Sequence, residues 1–247
     1  HMYGNPANMV AILKIAKKHK LYTIEDCCSA HGAEVGGRKV GSFGDISCFS
    51  FYATKLISAG EGGMVVTNSA IFAEKIKAFR DYGHSKPRFV HKILGFNYRL
   101  TDIQAAIGLA QLERISKKIE IKRRITQTYK ELLGGISQIM LPTSPPWGTS
   151  VFWSYGILIK SSFGRKRDEI MKIFMDKQIE TSTFFVPMHK QPVFRKKLKA
   201  NFPNIRGSYP ISENLGIRGF NLPSGLTITR NEQEEIVKEL LDLPLFG

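Results

Sequence analysis

The chain has 247 residues, 43% of them hydrophobic and 23% charged, a globular composition that fills one large domain or one and a half smaller ones. No apolar run approaches the length of a bilayer span and the opening residues lack the layout of a signal peptide, so no membrane association and a cytoplasmic location are expected. Lys and Arg outnumber Asp and Glu by 36 to 21, a net charge of +15; the basic residues are scattered without interleaved aromatics, which favours a solvated surface or an anionic metabolite over nucleic acid.

His1-Met2 reads either as a cloning scar or, with Tyr3-Gly4, as the end of a strand. Asn5-Pro6 opens a first helix, with Asn as N-cap and an apolar face from Met9 to Ile15-Ala16. Leu21 to Ile24 reads as a short buried strand ending in Glu25-Asp26. Acids at the carboxyl end of a strand are where α/β proteins place ligands. Three cysteines follow, Cys27, Cys28 and Cys48. Cys27 and Cys28 are adjacent and no paired CxxC spacing occurs, so they read as buried thiols in a reducing compartment, with neither a disulfide nor a metal site.

Ile46–Phe51 and Gly63–Thr67 are strand-like, and residues 71–81 are helical. Thr101-x-x-Gln104 is a capping box, and apolar positions Ile103, Ile107, Ala110, Ile115, Ile119 and Ile125 carry one long helix from it to about Leu133. Pro142, Pro145 and Pro146 mark a loop. Phe152–Ile159 and Ile179–Phe185 read as strands around a helix from Arg165 to Lys177, and Thr229-x-x-Glu232 caps a final helix. The domain reading is a large α/β portion over 1–135 and a smaller α+β portion over 136–247.

Lys55 stands between "SFYAT" and "GEGG", a setting that a solvated lysine does not need. A lysine forms a Schiff base with an aldehyde. A carboxylate such as Asp26 holds a heterocyclic nitrogen protonated, while a serine hydroxyl and free backbone N–H groups suit a phosphate. Pyridoxal phosphate requires this set of its protein.

"IEDCCSAHGA" (24–33), "GSFGDISCFSFYATK" (41–55), "GEGGMVVT" (60–67), "GFNYRLTDIQAAIG" (95–108) and "LPSG" (222–225) resemble the DegT/DnrJ/EryC1/StrS sugar aminotransferases, and the resemblance runs essentially end to end. It implies a fold-type I pyridoxal-phosphate-dependent transferase with an N-terminally incomplete large α/β domain, because family members begin with a phosphate-loop segment that has no counterpart here. It also implies that Asp26 pairs with the ring nitrogen, Lys55 is the Schiff-base lysine and Ser50 is a phosphate ligand. Asn97 then reaches the phosphate in the neighbouring subunit of a homodimer with shared sites. Ser29 stands where many members place a glutamine against the ring oxygen. His31 is read as a hydrogen-bonded packing group without a chemical role.

"SVFWSYGILI" (150–159) and "IETSTFFVPMHKQPVF" (179–194) are most similar to the GDP-perosamine synthases of that family, with Ser182-Thr183 where those read Arg-Pro. The implied reaction moves an amino group from L-glutamate to a nucleotide-linked 4-keto-6-deoxyhexose for surface polysaccharide, with His189 and Lys190 on the substrate side. Lys55 argues against the branch that carries a histidine there and acts as a dehydratase. A different keto sugar, or a non-catalytic scaffold or regulator, is the alternative.

Overall fold

The computed structural model describes residues 1–87, 89–195 and 207–243. They form two compact units, residues 1–123 with 143–153, and residues 124–142 with the described residues from 154 onward.

The first unit opens with a single 3-10 turn, Met2–Gly4, in place of a strand end. The cap of α1 (Met9–Lys18) is Asn8, whose side chain accepts the Ala11 N–H at 3.0 Å. Asn5 lies outside the helix with extended backbone, as the residue before a proline prefers. β1 is Ile24–Asp26 and does not include Leu21 or Tyr22, which are 61% and 79% exposed. Those residues are held by the end of α1. Lys20 turns left-handed at φ 53, and the Leu21 N–H donates back to the Ala16 carbonyl at 2.9 Å, so the strand starts only after the helix cap is complete.

β2 (Glu34–Val35) and β3 (Arg38–Lys39) form a hairpin. β4 (Ile46–Ser50) runs parallel to β1, with Ile24 opposite Ile46 and Asp26 opposite Cys48. β5 (Gly63–Val66) closes the sheet antiparallel to β4, in the order β1-β4-β5. α2 (Ala70–Arg80) is capped by Ser69, and β6 (His84–Ser85) pairs with β7 (Val90–His91).

The capping box at Thr101 opens α3 (Asp102–Leu112) as its residue types dictate. The expected continuous helix breaks there, and α4 (Ile115–Leu133) is a second helix. The Arg114 N–H bonds to Gln111 in a tightened last turn. Ile119 and Ile125 are buried whereas Ile103 and Ile107 are exposed, so the apolar stripe does not continue along one face. β8 (Ile139–Met140) belongs to the second unit, while β9 (Gly148–Thr149) returns to the first and pairs with β2. The units therefore interleave and do not divide at one point near 135, because the proline loop carries a segment back to the β2 edge.

In the second unit, β10 (Tyr155–Ile159), α5 (Arg167–Asp176), β11 (Ser182–Thr183), α6 (Pro192–Arg195), α7 (Pro210–Arg218), β12 (Gly219–Leu222) and α8 (Arg230–Leu241) follow in order. The antiparallel sheet runs β11-β12-β10-β8. β11 is shorter than the expected 179–185 run because the Ile179 N–H still closes the end of α5 on the Phe174 carbonyl at 2.8 Å. Tyr155, Ile157, Phe174, Phe220 and Leu240 form the core, and Tyr129 stacks on Tyr155 with centroids 4.7 Å apart. Among the described residues no helix is long and apolar enough to cross a membrane.

Candidate active site around Lys55

The site is built on the carboxyl end of β1. Strand alternation sends Glu25 inward, where it is 2% exposed, and leaves Asp26 on the open side. Glu25 is the anchor. Its carboxylate accepts from the backbone N–H groups of Gly41 at 2.8 Å, Phe43 at 2.6 Å and Gly44 at 2.6 Å, and from the Ser47 hydroxyl at 3.2 Å. His1 adds a fifth donor: its Nδ1 accepts the Ala7 N–H, so Nε2 carries the proton toward Glu25 at 3.1 Å. Gly41 has φ 86 and a Cβ there would run into the Phe49 ring, so only glycine brings this N–H to the carboxylate. Cys27 Sγ lies within 4.8 Å of the His1 and Glu25 ligand atoms. Burial pushes its thiol up to about 12, with Glu25 adding to the effect, and both Glu25 oxygens are already filled, so this cluster is a hydrogen-bonded hub.

Lys55 sits on the loop between β4 and β5. The loop is tied at its base, where the Phe51 N–H donates to Gly62 and the Ala59 N–H donates to Phe51, both at 2.9 Å. Gly60 and Gly62 take φ 80 and 140 at the turn, which L side chains rarely adopt. Lys55 Nζ donates to the Ser29 hydroxyl at 3.2 Å and lies 3.9 Å from the centroid of the Trp153 ring. Burial lowers the proton affinity of this amine; Cys28 and Asp26 act in the opposite direction. Asp26 is held below the usual carboxylate range chiefly by the Cys28 N–H at 3.0 Å, with Lys55 contributing.

His31 is buried at 4% exposure between this loop and an apolar cavity lined by residues such as Phe49, Phe51, Leu109 and Leu112. It packs on Phe49 and Phe51 as expected. It is not hydrogen-bonded as expected: the Ser50 backbone acts on the ring, yet neither nitrogen reaches hydrogen-bond geometry. Desolvation lowers its pKa to about 4, with the Lys55 charge adding to the effect.

Lys55, Asp26 and Ser29 are thus brought together. Ser50 ends β4 beside them, its hydroxyl accepting the Tyr52 N–H at 3.2 Å. Asn97 lies elsewhere in the first unit, exposed, on a segment whose backbone bridges Asp81. His189 and Lys190 belong to the second unit, where both hold Glu213, at 2.8 and 3.0 Å. Their contacts depress the Glu213 carboxyl to about 2, Lys190 the larger cause.

Residues 1–241 match the DegT/DnrJ/EryC1/StrS aminotransferase family. The chain belongs to that family. It is 40% identical over 234 residues to the GDP-perosamine synthase of Escherichia coli O157:H7, covering 94% of this chain and 61% of the relative. To the GDP-perosamine synthase of Vibrio cholerae it is 36% identical over 237 residues, covering 96% and 63%. The solved structure of Helicobacter pylori PseC, an aminotransferase involved in the biosynthesis of pseudoaminic acid, aligns with a TM-score of 0.88 at 26% identity, covering 97% of this chain and 64% of that one. The fold is the fold-type I aminotransferase fold expected from the motifs. The chain spans about three fifths of the length of the curated relatives it matches.

Pyridoxal phosphate is the cofactor of DegT/DnrJ/EryC1/StrS aminotransferases, and the donor set here fits it. A half-buried amine with lowered proton affinity suits an aldehyde, and a carboxylate kept ionised by a backbone N–H suits a ring nitrogen. Two residues that shape this site escaped sequence reasoning. Glu25 carried a signal, since an acid on the inward side of a strand needs donors. Trp153 carried none, being far from Lys55 in the chain.

Proposed function

We propose that the whole protein is a pyridoxal-phosphate-dependent aminotransferase that moves an amino group from L-glutamate to a nucleotide-linked 4-keto-6-deoxyhexose. The observation that carries this reading is the single cluster of Lys55 amine, Ser29 hydroxyl and Asp26 carboxylate at the end of β1. The cofactor, when bound, supplies an aldehyde for an amine to join and a ring that accepts electron density. Asp26 keeps the proton on the ring nitrogen, its own ionised state fixed by the Cys28 N–H. Lys55 would hold the aldehyde, and its Nζ, when free, would serve as the group that takes up and returns a proton. Ser50 would hold the phosphate, and Ser29 would orient the amine.

Similarity to two GDP-perosamine synthases supports a GDP-linked sugar; the reading extends to a role in surface polysaccharide such as O-antigen. On the substrate side, Glu213 keeps His189 and Lys190 oriented until an anionic nucleotide replaces it. The reading includes a cytoplasmic homodimer with shared sites, Asn97 reaching the partner's phosphate. The exposed apolar residues Phe89, Leu94, Phe96 and Tyr98 beside Asn97, and Ile103 and Leu109 on α3, support such an interface.

Mass spectrometry of the product tests this, with the full-length protein incubated with L-glutamate, pyridoxal phosphate and a panel of nucleotide 4-keto sugars. One ketone should be converted to an amine, and Lys55→Ala should convert none. A protein that turns yellow with the cofactor but aminates no sugar defeats the substrate reading; a colourless one defeats the cofactor reading.

A further inference from the structure

Trp153 is fixed against Lys55 more firmly than packing requires. Its ring lies 3.9 Å from Nζ, and its Nε1–H donates to the carbonyl of Thr54, the residue before the lysine, at 2.8 Å. Its own carbonyl accepts from the buried Lys122 Nζ at 2.8 Å, and its N–H donates to the Tyr3 carbonyl at 3.1 Å. The backbone is strained to deliver it. Phe152 and Tyr3, bulky residues on either side of this contact, have φ of 47 and 58, a left-handed region such residues enter only where surrounding structure over-determines them. Gly4 faces the same point with φ 85, and a Cβ there would sit 3.1 Å from the Trp153 nitrogen.

We propose that Trp153 is a positioning residue whose ring face is the resting place of the protonated Lys55 amine. The face of an indole is the negative end of its quadrupole and attracts an ammonium. The bond from Nε1–H to Thr54 ties the ring to the peptide that carries the lysine, so ring and amine keep their distance when the loop shifts. The ring thus acts against burial, which drives the proton off Lys55. The other groups facing this amine are the Asp26 carboxylate, the Cys28 thiol and the Ser29 hydroxyl from the end of β1, and the His31 ring; the Lys122 cation stands behind the Trp153 carbonyl. The proposal deepens the aminotransferase reading, in which the displaced Lys55 must take up a proton and hold it in place, and it rests on that reading for its purpose.

The test is the titration of Lys55 in the full protein stripped of cofactor. The rate of labelling at Lys55 by an amine-reactive ester is followed against pH by peptide mass spectrometry. Position 153 carries tryptophan or its mono-, di- and trifluoro analogues, installed there alone by nonsense suppression. Fluorine drains the ring face while keeping shape and N–H. The labelling midpoint should fall stepwise along the series, by roughly half a unit to one and a half units at its end. A midpoint that stays put at every fluorination overturns the proposal. Trp153→Phe should likewise titrate above Trp153→Leu, and equal midpoints count against it. The titration uses no cofactor and no sugar, so failure of the aminotransferase reading, seen as a wild-type protein that stays colourless with pyridoxal phosphate, is a separate result.

Discussion

Replacing Glu25 with glutamine tests whether the hub behind Asp26 holds the site together. All five groups at the carboxylate are donors: the Gly41, Phe43 and Gly44 N–H groups, the Ser47 hydroxyl and His1 Nε2. A glutamine keeps one acceptor oxygen and turns an NH2 toward the rest. Its best orientation leaves the oxygen with Phe43, Gly44 and Ser47, and orphans Gly41 and His1. Two buried donors without partners cost about 1–3 kcal/mol each, offset in part by no longer burying a carboxylate, so a loss of about 2–4 kcal/mol is expected. For a chain of this size that lowers Tm by roughly 4–16 °C. Urea unfolding followed by tryptophan fluorescence gives the loss, and hydrogen exchange should show Gly41 as the amide that loses most protection. Glu25→Ala, which orphans all five donors, should lose more than Glu25→Gln. A glutamine variant within about 0.5 kcal/mol of wild type, with Gly41 still protected, would refute the hub.

Asp26→Asn should still bind pyridoxal phosphate, because one charge-assisted bond is worth roughly 1.5–3 kcal/mol, while turnover falls more than tenfold; a smaller fall would mean that Asp26 is not the partner of the ring nitrogen. His31 has a folded pKa near 4 against an ordinary value near 6.5, so the unfolded chain binds its proton first and acid favours unfolding. The stability this group secures is complete above about pH 6.5 and fades as pH falls toward 4, by roughly 3 kcal/mol in all. His31→Gln should therefore flatten the stability curve across that window, and parallel curves for variant and wild type would refute the assignment. Asn97→Ala and Lys55→Ala subunits, each inactive alone, should regain activity when co-refolded into heterodimers, since one shared site then collects both defects. Confirmed heterodimers without activity would show that Asn97 does not act across the interface.

Short-range features were legible in the sequence. The capping boxes at Thr101 and Thr229 stand where their residue types put them, because a cap is a contract between residues three apart. The glycines after Lys55 likewise announce a turn, since φ of 80 and 140 is a local demand. Asp26 at a strand end and Lys55 before that turn could be singled out on the same ground, and family motifs tied them to one chemistry. Tertiary structure alone decided the rest. The helix expected to run unbroken from Thr101 became α3 and α4, because continuous helical propensity does not say which face a neighbour will cover. Leu21 and Tyr22 are exposed because the cap of α1 had first claim on their backbone. Glu25 found three of its five donors on the loop before β4, a fourth on β4 itself and the fifth at His1; the parallel pairing of β1 with β4 brings that loop alongside, a register that no local pattern encodes. Trp153 reached Lys55 only because the chain returned from the second unit through β9. Such contacts are set by how elements pack, and packing depends on the whole set of side chains rather than on any stretch of them.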